Sequence, residues 1–177
     1  MTATSLSGAL PQRLSGNVVS DEPWDCALFP LTKNEVAESR RCIEDALQHL
    51  SVGRIEECIT ALHRALAITP RQAAGFRYEI YVALMTAKRR RGDYAGAWAA
   101  GVAAYGEIVT QERNMAAILG TQERADSRSH LRRLPLIRAI LQCSDWVPHA
   151  EGSDDERMEA RLRQELSDGD RERRSVA

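Results

Sequence analysis

Residues 53–70 read GRIEECITALHRALAITP, and this stretch decides the fold of the chain. Its large aliphatic residues recur at the spacing of one helix face: Ile55, Ile59, Leu62 and Leu66. Such a period predicts an amphipathic helix. Gly53 marks a turn before this helix, and Pro70 ends it because a proline drives the preceding residue out of the α region. A second helical pattern occupies residues 34–50, so the two segments are predicted to form a helical hairpin.

The same turn and helix recur 39 residues later, where residues 92–109 read GDYAGAWAAGVAAYGEIV. Small residues stand five and twelve positions after each turn glycine: Cys58 and Ala65 in the first copy, Ala97 and Ala104 in the second. A helix over about 73–91 precedes the second turn, and the helix after it is predicted to span about 94–109. That helix contains three glycines, Gly96, Gly101 and Gly106. Each costs up to about 1 kcal/mol relative to alanine, which predicts that a neighbouring helix approaches closely.

Roughly residues 39–109 resemble the tetratricopeptide repeat family. The turn glycine, the small residues and the closing proline carry the resemblance. The resemblance implies an all-α fold of antiparallel helical hairpins stacked as a short solenoid, in which each hairpin buries its apolar stripe against the next. An ordinary α-bundle with small residues at similar spacing is the alternative. Patterns over 111–124 and 130–143 predict a further helical pair, which lacks the repeat and forms a C-terminal helical cap. Pro135 predicts a kink or a new helix inside it.

The helical domain is predicted to comprise residues 33–144. The segments before and after it differ from it in composition. Residues 1–32 are rich in Ser, Thr, Gly and Pro and predict a flexible N-terminal arm. Within the arm, residues 24–31 read WDCALFPL and form an apolar segment that is expected to dock on the helical body or on a partner. Residues 145–177 form an acidic, charge-rich tail, predicted to be partly helical or disordered. Its stripe of Met158, Leu162 and Leu166 would support one amphipathic helix on docking.

The formal net charge of -1 hides three unequal parts. The arm carries -2, the helical domain +5 with 17 basic and 12 acidic side chains, and the tail -4. A basic domain attracts an acidic protein segment or a nucleic-acid backbone. Because the tail is acidic, a further hypothesis is that the tail screens the Arg-rich surface until a partner displaces it.

Composition and motifs exclude several classes. Aromatic residues make up 5% of the chain and charged residues 28%, which disfavours a β-sandwich and a membrane protein respectively. The four cysteines are widely spaced, as in a reduced cytoplasmic protein, although Cys42 and Cys58 on one hairpin leave a redox-responsive pair open. Phosphate-loop, dinucleotide-binding, GxSxG and HExxH motifs are absent, and the histidines are scattered. The sequence thus predicts no catalytic residues, no metal site, no cofactor and no membrane contact.

Two candidate binding surfaces follow. Members of the resembled family usually bind a peptide in a concave groove lined by the first helix of each hairpin. Carried over by position, that groove consists of Arg40, Ile43, Leu47, Glu79, Val82, Thr86, Arg89 and Arg90. This mixed apolar and basic set favours an acidic or amphipathic protein segment as the ligand. The second candidate is a basic surface of Lys88, Arg91, Arg124, Arg128, Arg132, Arg133 and Arg138. The cluster at 88–91 also complements a helix dipole, so a structural role for it needs no ligand.

The leading functional prediction is a non-enzymatic adaptor or regulator that binds a protein segment in the groove. A regulatory subunit acting at nucleic acid through the Arg-rich surface is one alternative. An accessory subunit of an enzyme complex is another. The sequence also leaves open whether the chain forms a homo-oligomer.

Overall fold

The structure, a computed structural model, describes residues 33–70, 74–119 and 122–176. These residues form an all-α fold of six helices with no strand among them. The helices are α1 (Lys33–Ser51), α2 (Ile55–Ile68), α3 (Ala74–Arg91), α4 (Tyr94–Leu119), α5 (Gln122–Ser144) and α6 (Asp154–Val176). The predicted arm, including its apolar segment at 24–31, lies outside the described residues.

The two turns predicted to be equivalent have the same geometry. Gly53 ends the α1–α2 turn with φ 78° and Gly92 ends the α3–α4 turn with φ 81°. Glycine populates positive φ without the steric cost that a Cβ atom imposes. In each turn the amide after the glycine donates to a carbonyl five residues earlier, at 2.9 Å in both cases. This closure satisfies carbonyls at the helix end, so both hairpins begin their second helix in the same way.

Helices that are adjacent in the chain pack against one another from α1 to α6. α1 and α3 also run side by side. Near their N-terminal ends, the Arg40 guanidinium carbon lies 6.0 Å from the ring centroid of Phe76. Near their C-terminal ends, Arg90 Nη1 donates to the Leu50 carbonyl at 3.1 Å. Because N-terminal end meets N-terminal end and C-terminal end meets C-terminal end, α1 and α3 are parallel.

α3 and α5 are related in the same way as α1 and α3. Arg89 Nη1 of α3 donates to Gln142 Oε1 of α5 at 3.1 Å, again between C-terminal portions. Trp98 Nε1 of α4 donates to Asp155 Oδ1 of α6 at 3.1 Å. Odd-numbered helices therefore contact odd-numbered ones, and α4 contacts α6.

The core lies between the helices, with the largest fully buried side chains at Leu62, Ile80, Leu134, Ile137, Ile140 and Leu162. The close approach predicted from the glycines of α4 is confirmed at Gly101, where a Cβ atom would lie 2.6 Å from Ile140 Cγ1 of α5. At Gly106, by contrast, no atom lies within 4 Å of such a Cβ position. Of Gly101 and Gly106, only Gly101 is required by packing against a neighbouring helix.

The predicted boundary near residue 109 is wrong, because α4 continues to Leu119. Val109 stands where the repeat would have a proline, so no residue there stops the helix. The Thr110 hydroxyl donates to the Gly106 carbonyl at 2.8 Å within the continuing helix. The patterns over 111–124 and 130–143 accordingly belong to the end of α4 and to α5. Pro135 lies inside α5, and no new helix begins there.

The tail contains the long helix α6, which packs against α5. Leu162 is fully buried, and Met158 and Leu166 are partly buried against the core. Gly169 allows close contact one turn further on, because a Cβ atom there would lie 2.7 Å from the methyl groups of Leu134. Among the described helices, none is both long and apolar enough to cross a bilayer.

Candidate functional site

The groove residues predicted from the resemblance lie on the two parallel helices α1 and α3, and we call their surface the α1–α3 face. Its members are Arg40, Ile43, Leu47, Glu79, Val82, Thr86, Arg89 and Arg90. Ile43 is buried, and Val82 and Thr86 are half-buried. The other five are exposed. The face thus combines a half-buried apolar strip with exposed charged side chains.

Leu47 is the apolar side chain that this face exposes most, at 48%. The parallel register of α1 and α3 places it beside the turn of α3 that contains Thr86. Two other large apolar side chains of the described residues are more exposed, Val52 at 63% and Trp146 at 69%. Val52 belongs to the α1–α2 turn, and the Trp146 ring stacks on Tyr94 with centroids 5.4 Å apart. Leu47 is the one that lies on a helix face next to exposed arginines.

Arg89 and Arg90 both contact neutral groups. Arg89 donates to the Gln142 side chain of α5, and Arg90 donates to the Leu50 carbonyl of α1. Within the described chain neither forms an ion pair, so the two charges are not neutralised there. Both side chains also connect neighbouring odd-numbered helices. Their positive charge is therefore held at a fixed place on the surface.

The two arginines also influence two buried thiols. Burial raises the pKa of Cys58, and the nearby Arg90 charge partly opposes the rise. Burial likewise raises the pKa of Cys143, opposed by Arg89. A raised pKa keeps a thiol protonated at neutral pH and lowers its reactivity. Cys42 is half-buried, and the three described cysteines are free thiols.

The residues of the predicted basic surface differ in how exposed they are and in whether acidic side chains neutralise them. Lys88 is half-buried, and Arg91 is neutralised by two acids. The Arg91 guanidinium lies 3.1 Å from Glu56 and 2.8 Å from Asp93. The pKa of Asp93 is lowered first by the hydrogen bond that it accepts from the Gly96 amide, and further by Arg91. Arg91 therefore helps to hold the α3–α4 turn.

Arg133 of α5 is half-buried between α4 and α6, with its side chain 15% exposed. It forms ion pairs with Glu112 at 3.1 Å and Glu165 at 2.9 Å. The Tyr105 hydroxyl donates to Glu165 at 2.5 Å. Burial, together with this carboxylate, raises the pKa of Tyr105. We call these four residues the α4–α6 seam.

A second tail contact lies nearby, where Arg138 of α5 pairs with Asp170 of α6 at 2.5 Å. The acidic tail therefore does contact arginines of the predicted basic surface, at Arg133 and Arg138. Arg89 and Arg90 are not among its ion-pair partners in the described chain. The side chains of Arg124, Arg128 and Arg132 lie outside the described residues, so the structure does not extend this surface further.

The seam was not predicted from the sequence, which singled out only Arg133 among its four residues. Glu165 is 60 residues from Tyr105, and Asp155 is 57 residues from its partner Trp98. Local periodicity carries no signal for such pairs. The acidic composition of the tail was the only indication that it has basic partners.

Over the ranges that the structure describes, no group of three or more His, Cys, Asp or Glu side chains is arranged to hold a metal ion. Comparison of the chain with protein-family models, curated proteins and solved structures finds no match in any of the three.

Proposed function

We propose that this chain is a non-enzymatic protein-interaction module, an adaptor or regulator in the cytoplasm, whose α1–α3 face binds an acidic amphipathic segment of a partner protein. Such recognition needs an apolar strip for side-chain burial and nearby charges that select the sign of the ligand. It needs no reacting group.

The observation that carries the proposal is the position of Arg89 and Arg90 relative to Leu47. The two arginines are exposed and contact only neutral groups among the described residues, while Leu47 exposes about half of its side chain on the adjacent parallel helix. A ligand carboxylate would gain charge-assisted hydrogen bonds from arginine. A ligand leucine or aromatic ring beside Leu47 would remove apolar surface from water.

The arrangement of helices supports a tetratricopeptide-like stack as the scaffold of this face. α1, α3 and α5 are linked in one layer by Arg90 and Arg89, and α4 contacts α6 on the other side. The two glycine turns have matching geometry. In such a stack the first helices of successive hairpins line one surface, and α6 serves as the terminal cap.

Nucleic-acid binding through the Arg-rich surface has less support. Arg91, Arg133 and Arg138 each form ion pairs with acidic side chains of the same chain. Binding a phosphate backbone would require these pairs to be given up.

The test is selection of ligands from a random peptide library displayed on phage, with the full chain as bait. We expect the selected peptides to be enriched in Asp or Glu together with Leu, Phe or Trp. Arg89→Glu/Arg90→Glu should weaken binding of a selected peptide by about tenfold or more, because two favourable charge contacts become repulsive.

The matched control is Arg41→Glu/Arg64→Glu, which makes the same charge change at two exposed arginines of α1 and α2 outside the face. An apolar pair adds a second contrast. Leu47→Asp should weaken binding, whereas Val52→Asp should not, although both side chains are exposed. Equal losses in the face variants and their controls would remove the α1–α3 face as the binding site.

A further inference from the structure

We infer that the α1–α3 face has an occupant within the same chain, the segment 21–31 of the N-terminal arm. This inference rests on the proposed function, because it assigns a first ligand to the same face. The segment reads DEPWDCALFPL. It contains three acidic residues, no basic residue and four large apolar residues, namely Trp24, Leu28, Phe29 and Leu31. This is the acidic and amphipathic chemistry that the face requires.

The two sets of charges are complementary. Arg40, Arg89 and Arg90 are exposed on the face, and Arg89 and Arg90 contact only neutral groups of the described chain. The segment supplies Asp21, Glu22 and Asp25. Opposite charges in equal number favour docking, and the apolar side chains of the same segment would cover the exposed strip around Leu47.

The connection to α1 has the necessary length. Because a helix rises about 1.5 Å per residue, Leu47 lies about 21 Å along α1 from Lys33. An extended chain spans up to about 3.3 Å per residue, so the nine residues from Trp24 to Lys33 reach about 30 Å. Trp24 can therefore lie beside Leu47, with the segment antiparallel to α1. Residues further back, including Asp21, then come level with Arg90 at the end of α3.

Two prolines favour this extended path. Pro23 and Pro30 bracket three of the four large apolar residues of the segment, Trp24, Leu28 and Phe29. Each disfavours the helical conformation at the residue before it, which keeps the segment from continuing α1 backwards. An extended ligand loses less conformational freedom on docking than a fully flexible one.

A tethered ligand competes strongly with a free one. For a short flexible connection the effective concentration is on the order of millimolar. A partner segment therefore has to displace the arm, and its apparent affinity for the intact chain is reduced. The arm thus acts as a competitor that restricts binding to partners with higher intrinsic affinity.

The direct test is photo-cross-linking in the full chain, with benzoylphenylalanine in place of Trp24 and peptide mapping of the products. We expect intramolecular cross-links to α1 around Leu47 and to α3 around Thr86, in a yield that does not change on dilution. Arg89→Glu/Arg90→Glu should reduce this yield, and Arg41→Glu/Arg64→Glu should not. Cross-links to α5 or α6, cross-links found only in covalent dimers, or the absence of any would overturn the inference.

A second measurement separates this inference from the proposed function. A labelled synthetic peptide of residues 18–32 is titrated into the full chain and into the full-length variant Leu28→Asp/Phe29→Asp. We expect the variant to bind about tenfold more tightly, because its own arm no longer competes. Equal affinities would contradict the inference. The proposed function would still hold if a display-selected peptide continued to require Arg89 and Arg90, and it would fail if neither peptide required them.

Discussion

The arginines of α5 and those of α3 differ in what surrounds them. Arg133 is half-buried between two glutamates and Arg138 pairs with an aspartate of α6, so both charges are neutralised within the chain. Arg89 and Arg90 are exposed and donate to neutral oxygen atoms. The comparison shows that a basic composition does not by itself locate a basic binding surface. The charge available to a ligand is the charge that the fold leaves unpaired.

The largest effect should come from breaking the α4–α6 seam. Arg133→Met removes the cation shared by Glu112 and Glu165 and leaves two largely buried carboxylates together. Breaking one side of a buried pair costs about 3 to 5 kcal/mol, and we expect the lower end because the side chains are partly exposed. Urea denaturation measures the loss. Arg90→Met on the exposed face should cost less than about 1 kcal/mol.

The matched control for this comparison adds Glu165→Gln to Arg133→Met. Removing one carboxylate charge relieves the repulsion, so the double variant should be more stable than the single variant. An Arg133→Met protein as stable as the wild type would show that the seam is not a stabilising contact.

The next prediction compares the stability lost when an apolar side chain is truncated in α6 and on the α1–α3 face. Leu162→Ala in α6 removes a fully buried side chain and should cost about 2 to 5 kcal/mol. Leu47→Ala on the α1–α3 face should cost less than about 1 kcal/mol, because this leucine is 48% exposed and leaves no closed cavity. Thermal and urea unfolding of both variants provide the test. Similar losses would mean that Leu47 is part of the core and is not available to a ligand.

The positions at which the sequence predicted the fold correctly are those with local signals. α2 begins and ends where Gly53 and Pro70 predict, and α3 ends before Gly92 as predicted. The length of α4 was missed because Val109 is permissive and local periodicity does not show where a helix continues. All-α class and hairpin turns thus follow from residue type, whereas helix length required the structure.

The candidate site shows the same division. The turn glycines Gly53 and Gly92 are 39 residues apart in the sequence, and the helices that precede them, α1 and α3, lie parallel. The exposed Leu47 of this pair was among the predicted residues. Arg133 was assigned to an open surface because its partners, Glu112 and Glu165, come from distant parts of the chain. Charge counts per segment cannot distinguish paired from unpaired arginines.

A smaller effect concerns the two glycines of α4 that differ in surroundings. Gly101→Ala should destabilise the chain by about 1 to 3 kcal/mol, because its Cβ atom would lie 2.6 Å from Ile140 Cγ1. Gly106→Ala should stabilise it by up to about 1 kcal/mol, since the site is open and alanine favours helix. We expect the two substitutions to change the free energy of unfolding in opposite directions. Equal effects would contradict the close approach of α5 at Gly101.

The smallest effect is pH-dependent and lies at the α3–α4 turn. The hydrogen bond from Gly96 lowers the pKa of Asp93, so its contribution is present above the ordinary pKa of about 3.9 and is lost as pH falls through the lower native value. Asp93→Asn should reduce stability at pH 7 by less than about 1 kcal/mol. Unfolding from pH 7 down to pH 2 should show this difference shrinking. A difference independent of pH would exclude the carboxylate charge as its cause.

The most direct test of binding at the α1–α3 face is an amide chemical-shift titration of the full-length Leu28→Asp/Phe29→Asp chain with a synthetic peptide of residues 18–32. We expect the largest shifts in α1 around Leu47 and in α3 around Arg89 and Arg90, with little change around Arg133. Shifts concentrated in α5 and α6, or no shifts at saturating peptide, would contradict the assignment of this face as the binding site.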